Sequence, residues 1–370
     1  MRAQGDRADS PFLRIGAAGV PADGVRGGEG ATDLSYRRIH AESDRVPAGL
    51  LALGVRRGHR VAVAAPNSVE WLLTWLGAAK IGAVLVTLNV AYREREFVHM
   101  LNESGAVQLV CVDRHGDFDL VEFVSGLRPR PPTVEHVLFL GGPGFDGSLS
   151  WPDLLAAPPD PDALASVVAQ VRPSDPAVIL YTSGTTGEPK GAVLTHAGIL
   201  ASAAAQATHL GQRPDDVMIG HLPLNHVGGM TCTVVATLFA GGSIALLPAY
   251  HPRRALEAVA GQRVSIFVGV PTTYTMLLGL PEFADADTST VRMCVIGGSN
   301  VEPHLARRIL DAFPGARLGC RTPRSARSGA PTWCRSRAGR WTARRCARTA
   351  GGCSPSTRCP TRSWWSTRCR

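Results

Sequence analysis

Residues 177–191, Ala177-Val178-Ile179-Leu180-Tyr181-Thr182-Ser183-Gly184-Thr185-Thr186-Gly187-Glu188-Pro189-Lys190-Gly191, hold the strongest chemical signal in this chain. Ala177 to Tyr181 is a short apolar run of the kind that forms a fully buried strand. It empties into four hydroxyl side chains, three glycines and one lysine. Glycine lets a backbone approach a ligand closely and turn without a Cβ penalty. Free N–H groups and hydroxyls donate to anionic oxygens, and Lys190 adds a positive charge. The loop is built to hold an anion such as a polyphosphate. It is not a Walker A loop, because Pro189 precedes Lys190 and Gly191 follows it, where G-x-x-x-x-G-K-[ST] needs a hydroxyl residue. The plain alternative for such a string is a flexible Gly/Ser/Thr connection. The buried strand before it and the Pro-Lys-Gly closure after it argue against that.

Outward from the loop, apolar strand patterns alternate with helical ones. Towards the N-terminus, Leu34 to Gly54 carries apolar residues at helical spacing, and Arg60 to Ala65 reads as a strand. Ser68 is placed to cap a helix over Val69 to Lys80. Gly82 to Leu88 and Val107 to Val112 are further apolar strands, with a helix over Glu94 to Ser104 between them. Towards the C-terminus, Ser243 to Leu247, Ser265 to Val270 and Met293 to Ile296 read as core strands, and Pro303 to Phe313 as a helix. Pro-rich segments at 128–133 and 157–163 read as surface connections. Strands separated by helices predict an α/β body of parallel sheets flanked by helices. Its expected bounds are 33–319, after a poorly ordered polar, Gly-rich segment over 1–32.

Composition sharpens the C-terminal boundary. The 370 residues carry 39 Lys and Arg against 30 Asp and Glu, a formal charge of +9. From Cys320 to Arg370 there are 13 Arg, no Lys and no acidic residue. Removing those 13 leaves 26 basic against 30 acidic side chains, so residues 1–319 carry −4. Six of nine cysteines also fall in this tail, without a CxxC pair or a histidine partner, which argues against a zinc site. No helix or strand period fits 320–370. Such a composition is what a GC-rich gene spells in a shifted reading frame, and a disordered tail is the expectation. Its arginines and tryptophans could contact nucleic acid, but no pattern organises them, and no nucleic-acid partner is expected. Cys111, Cys232 and Cys294 sit in apolar runs and read as buried free thiols. Val227 to Tyr250 is uncharged and long enough to span a bilayer. Gly228, Gly229, Gly241, Gly242 and Pro248 interrupt it, so a buried helix, a glycine turn and a buried strand are predicted, with no membrane span. With no apolar leader in the first 30 residues, the expected location is cytoplasmic.

The string YTSGTTGEPKG resembles the signature of the adenylate-forming (AMP-binding) superfamily, which includes acyl-CoA synthetases, nonribosomal-peptide adenylation domains and luciferases. The stretch LGVRRGHRVAVAAPNSVEWLLTWLGAAKIGAVLVTLN and the segments LPLNHVGG, GVPTTY and VIGGSNVEP are similar to the family too, in the family's order. The resemblance covers about 33–319 and implies the fold of that family's large N-terminal domain. It further implies that Thr182, Ser183, Gly184, Thr185, Thr186 and Gly187 contact ATP phosphates. Lys190 would steady the departing pyrophosphate, and His226 of Pro223-Leu224-Asn225-His226 would lie beside the reacting carboxylate. Gly297, Gly298 and Ser299 would wall the adenine and acyl pocket, and Val270-Pro271-Thr272 is similar to another pocket-lining stretch, with a plain strand-ending turn as its alternative. The implied chemistry activates a small-molecule carboxylic acid, fatty or other acyl, with ATP and Mg²⁺ to an acyl-adenylate, then passes the acyl group to coenzyme A.

The resemblance stops at Gly319. The family continues with Tyr-Gly-x-Thr-Glu, whose Glu binds Mg²⁺, where this chain reads Cys320-Arg321-Thr322-Pro323-Arg324. The ribose-binding Thr-Gly-Asp and the small C-terminal domain with its lysine have no counterpart, and no metal ligand is assigned. A truncated, impaired ligase is therefore expected. The alternatives are a non-catalytic nucleotide- or acyl-binding remnant, and an amino-acid or aryl-acid adenylating domain.

Overall fold

The computed structural model describes residues 8–15, 32–127, 131–141, 144–158, 160–182, 189–320 and 332–334. The chain divides into two units, Met1–Trp333 and Cys334–Arg370. Apart from Cys334 the second lies outside the described residues, as does most of the expectation made for the tail.

Among the described residues the first unit holds one small antiparallel pair, Arg114–His115 with Phe118–Asp119, and two large, mostly parallel sheets. One runs Lys190–Thr195, Pro176–Thr182, Val84–Thr87, Arg60–Ala64, Ala106–Cys111, His136–Phe139, Leu149–Ser150. All its pairs are parallel except the first, where Pro176–Thr182 and Lys190–Thr195 pair antiparallel. The other places side by side Arg317–Cys320, Met293–Ile296, Ile266–Gly269, Val217–Gly220, Ser243–Leu246, Pro11–Ile15 and Thr32–Ser35. Only its last pair is antiparallel. Thr332–Cys334 is a further short strand. Parallel strands covered on both faces must be apolar throughout, and Val61, Ala62, Val63 and Ala64 are all fully buried.

Local signals set the helix ends, and the Ser68 cap acts where it was read. The helix Tyr36–Ala52 starts on Ser35, whose side chain accepts from the Arg38 N–H. The helix Val69–Lys80 starts on Ser68, which accepts from the Trp71 N–H. The helix Glu94–Ser104 ends on Gly105 at φ 59°, the left-handed conformation a glycine adopts most cheaply. The uncharged Val227 to Tyr250 stretch folds as helical turns over Gly228–Val235 and Ala236–Ala240, a turn at Gly241 with φ 75°, and the buried strand Ser243–Leu246. No helix among the described residues is long and apolar enough to cross a membrane.

Three expectations change. Pro11–Ile15 is a strand within the segment expected to be poorly ordered. Five residues are too few to show a period, but burial decides here: Phe12 and Leu13 are fully enclosed, and Phe12 packs on Tyr36 with ring centroids 5.0 Å apart. The Tyr36 hydroxyl donates to the Gly242 carbonyl at 2.7 Å, and Ser243 Oγ donates to Pro11 O at 2.5 Å. The Pro-rich stretch at 157–163 contains the start of a helix, Pro161–Val168, because proline is favoured in the first turn and Asp160 caps it. Of the three free thiols, Cys111 and Cys294 are buried but Cys232 is only partly so.

Candidate functional site

In a parallel sheet the carboxyl ends of the strands release the loops that bind ligands. Here the carboxyl ends of both sheets meet, and one side chain joins them. Asn67 lies just beyond the strand Arg60–Ala64 and is 5% exposed. Its Nδ2 donates to the carbonyls of Gly220 (3.3 Å), Leu222 (3.0 Å) and Leu247 (3.1 Å), at or just beyond the strand ends of the other sheet. Its Oδ1 accepts from the Leu224 N–H at 2.8 Å, and its own N–H donates to Pro248 O at 3.1 Å. Thr87, at the end of a neighbouring strand, donates through Oγ1 to the Asn225 carbonyl at 3.2 Å. The turn Leu222–Asn225 is thereby pinned against the first sheet. No local pattern marks Asn67 as a clamp; its only sequence signal is its place after a strand and before the capping Ser68.

His226 follows that turn and is exposed. Its N–H donates to Pro223 O at 3.1 Å, and its carbonyl accepts from the Met230 N–H that opens the next helical turn. The Gly228 N–H donates to His226 Nδ1 at 3.1 Å. With Nδ1 occupied as an acceptor, the imidazole proton sits on Nε2, which makes His226 a hydrogen-bond donor. The close turn also needs Gly229, where any Cβ would overlap the Pro223 and Leu222 carbonyls.

Thr182 and Lys190 are paired across the antiparallel hairpin, one residue beyond Tyr181 and Gly191, and both are exposed. The hairpin strand that ends at Thr182 pairs with Val84–Thr87, placing Leu180 opposite Thr87. Thr87 holds Asn225, the neighbour of His226. The threonine and the lysine therefore issue from paired strand ends of one sheet, and the histidine from the turn of the other sheet that Thr87 holds. Ser183, Gly184, Thr185, Thr186 and Gly187 lie outside the described residues. Both feet of their loop rest on the helix Glu94–Ser104. The Tyr181 hydroxyl donates to Met100 O at 3.2 Å, and His99 Nε2 lies 3.0 Å from Pro189 O. Burial, then Glu103, push the Tyr181 phenol up, so it keeps the proton it donates.

Gly297 and Gly298 follow the buried strand Met293–Ile296, the Gly297 N–H donating to Gly269 O at 3.0 Å. Gly298 has φ 82°, and a Cβ there would stand 3.0 Å from Val270 Cγ1. Gly297, Gly298 and Ser299 are exposed. Val270 caps the helix Pro271–Leu277, whose Tyr274 is buried and donates to the Phe267 and Val295 carbonyls. Beside these strand ends lies His221, 2% exposed and packed against Tyr250 and Phe267 at ring-centroid distances of 4.9 and 5.6 Å. Neither of its ring nitrogens has a hydrogen-bond partner among the described residues. Burial pushes its pKa down to about 4, so the ring is neutral. Among the described residues no group of three His, Cys, Asp or Glu side chains could hold a metal ion.

Comparison with known proteins matches residues 17–320 to the family model described as AMP-binding enzyme. The chain belongs to the AMP-binding enzyme family. Among its relatives, a feruloyl-CoA synthase of Amycolatopsis sp is 32% identical over 282 residues, spanning 76% of this chain and 52% of that protein. The mitochondrial medium-chain acyl-CoA ligase of Macaca fascicularis is 30% identical over 299 residues, spanning 75% and 48%. Among solved structures, an anthranilate CoA ligase in complex with anthranoyl-AMP superposes with a TM-score of 0.75 at 25% identity, covering 86% of this chain and 58% of that one. The chain thus spans about half the length of the curated relatives it matches. The mixed sheets flanked by helices are those of the AMP-binding family's N-terminal domain.

Proposed function

We propose that this chain is the nucleotide-binding part of an acyl-CoA synthetase, an AMP-dependent ligase for a carboxylic acid. The observation that carries the reading is the convergence at the strand ends: the Thr182–Lys190 hairpin, the His226 turn and the Gly297–Ser299 loop issue from sheets joined by Asn67. ATP would lay its phosphates against Thr182 and Lys190, and against the loop residues Ser183 to Gly187. The adenine and acyl moieties would sit along Gly297, Gly298 and Ser299, where the absence of a side chain at two positions permits close approach.

In the reaction so assigned, a carboxylate oxygen attacks the α-phosphorus, and the bond to the oxygen bridging α and β breaks. Pyrophosphate leaves with the electron pair, and the product is an acyl-adenylate. Lys190 stabilises the charge that grows on the leaving pyrophosphate. His226, donating from Nε2, orients a substrate carboxyl oxygen. A thiol, that of coenzyme A, then displaces AMP to give a thioester. Mg²⁺ would neutralise phosphate charge when bound. Among the described residues no group of three His, Cys, Asp or Glu side chains could hold it, so the phosphate oxygens of the nucleotide would supply its ligands.

The acid is a small organic carboxylate, fatty or other acyl. The relatives' names cover feruloyl and medium-chain acyl substrates, which keeps aryl acids as the second reading. Calorimetric titration with ATP tests the nucleotide site: Lys190→Ala should weaken binding about 10- to 100-fold, the worth of a charge-assisted hydrogen bond. Equal affinity in the variant, or no ATP binding by the unsubstituted chain, sinks the reading. Pyrophosphate release with a panel of aliphatic and aryl acids separates a ligase from a remnant that binds without turnover.

A further inference from the structure

We infer that His99 is a positioning residue for the phosphate loop, and that the helix Glu94–Ser104 sets the spacing of the loop's two feet. This rests on the reading that Thr182 and Lys190 serve a polyphosphate. A carbonyl oxygen can only accept, so the 3.0 Å contact between His99 Nε2 and Pro189 O places the ring proton on Nε2. Glu103, one turn later, brings a carboxylate oxygen to 3.6 Å of the same nitrogen. One residue on from His99, the Met100 carbonyl receives the Tyr181 hydroxyl. Consecutive residues of one helix therefore grip the strand that enters the loop and the residue that leaves it.

The consequence is geometric. Pro189 has no N–H of its own, so it cannot extend the hairpin ladder beyond the Thr182–Lys190 pair. Without His99 its carbonyl has no such donor, and the lysine that follows is fixed only by the hairpin. A donor at position 99 therefore fixes where the Lys190 side chain emerges relative to Thr182. His99 itself is partly exposed, at 29% for its side chain, so replacing it need not disturb the core.

The sequence supplies a clean assay. It contains two lysines, Lys80 and Lys190. Lys80 is held within the first unit by Ser43 Oγ and Asp44 Oδ1, both at 2.6 Å, and reports global opening. A lysine-specific endoprotease without nucleotide then reads local opening at Lys190 against global opening at Lys80. Native-state cleavage tracks the population of the open form when reclosing is fast. His99→Ala should speed cleavage after Lys190 about 3- to 10-fold, the range for one lost hydrogen bond, with cleavage after Lys80 unchanged. His99→Gln, whose amide donates from the same place, should restore the original rate. Tyr181→Phe should speed cleavage at the same site. An unchanged rate in His99→Ala, parallel acceleration at both lysines, or a Gln variant as fast as the Ala variant overturns the inference. ATP is added separately to the unsubstituted protein. If it fails to slow cleavage after Lys190, the polyphosphate reading falls while the nucleotide-free result still decides the role of His99.

Discussion

Asn67→Ala removes the side chain that joins the carboxyl ends of the two sheets, and its cost can be worked from the contacts. Nδ2 has two hydrogens shared among the carbonyls of Gly220, Leu222 and Leu247, and Oδ1 accepts from the Leu224 N–H. Two net donated bonds are worth about 2 kcal/mol, and leaving the buried Leu224 N–H without its acceptor adds about 1–2 kcal/mol. A loss of about 3–4 kcal/mol is expected in urea unfolding followed by far-UV circular dichroism. The damage should be local before it is global. Hydrogen exchange at the Leu224 amide should quicken by about two decades, while the Val61 and Val63 amides of the Arg60–Ala64 strand keep their protection until global opening dominates. Asn67→Asp is the sharper variant. A carboxylate facing three carbonyls is repelled by all of them, so at neutral pH it should be at least as destabilising as alanine. Burial raises the folded carboxyl's pKa above its unfolded value, so the protonated form can donate again. Stability in this variant should be regained as pH falls and lost as pH rises through the folded value. A loss below about 1 kcal/mol in Asn67→Ala, with the Leu224 amide exchanging as before, would refute the clamp.

Two further outcomes are expected. His221 has its folded pKa depressed to about 4 from the ordinary 6.5 by burial. The unfolded chain then binds the proton first, so this group's stability is whole above about pH 6.5 and drains away as pH falls towards 4, amounting to about 3 kcal/mol. His221→Phe should flatten that limb of the stability–pH curve measured by denaturation, and an unaltered slope would show that other groups carry it. At Gly298, φ 82° and the 3.0 Å approach to Val270 Cγ1 leave poor room for a branched side chain. Gly298→Val should cost about 1–2 kcal/mol of backbone strain and weaken ATP titrated by calorimetry, whereas the same change at Gly297, with open space around it and no positive φ, should leave stability near its starting value.

How much of this was legible beforehand follows from how local each signal is. The run Ala177 to Tyr181 and the capping Ser68 act within a few residues of themselves, so the strand and the helix start fall where the pattern puts them. The phosphate loop proposed above was read from one contiguous string. Lys190 and His226 could be named from their segments, but not what holds them. The side-chain partners of Asn67 lie 153 to 180 residues away along the chain, and His99 meets a carbonyl 90 residues on. Neither polarity nor spacing near Asn67 or His99 distinguishes them from any surface amide or imidazole. Likewise His221 reads as one more polar residue; only the aromatic rings of Tyr250 and Phe267 make it a neutral, enclosed base.

The chain by itself determined an α/β body with parallel sheets, because backbone propensity, apolar period and capping are short-range quantities. The folded structure alone decided that Pro11–Ile15 joins a sheet, that one asparagine closes the two sheets' carboxyl ends upon each other, and that one helix grips both feet of the loop. Those outcomes depend on which distant groups burial brings within hydrogen-bond reach, and a buried polar atom is stable only where such a partner arrives.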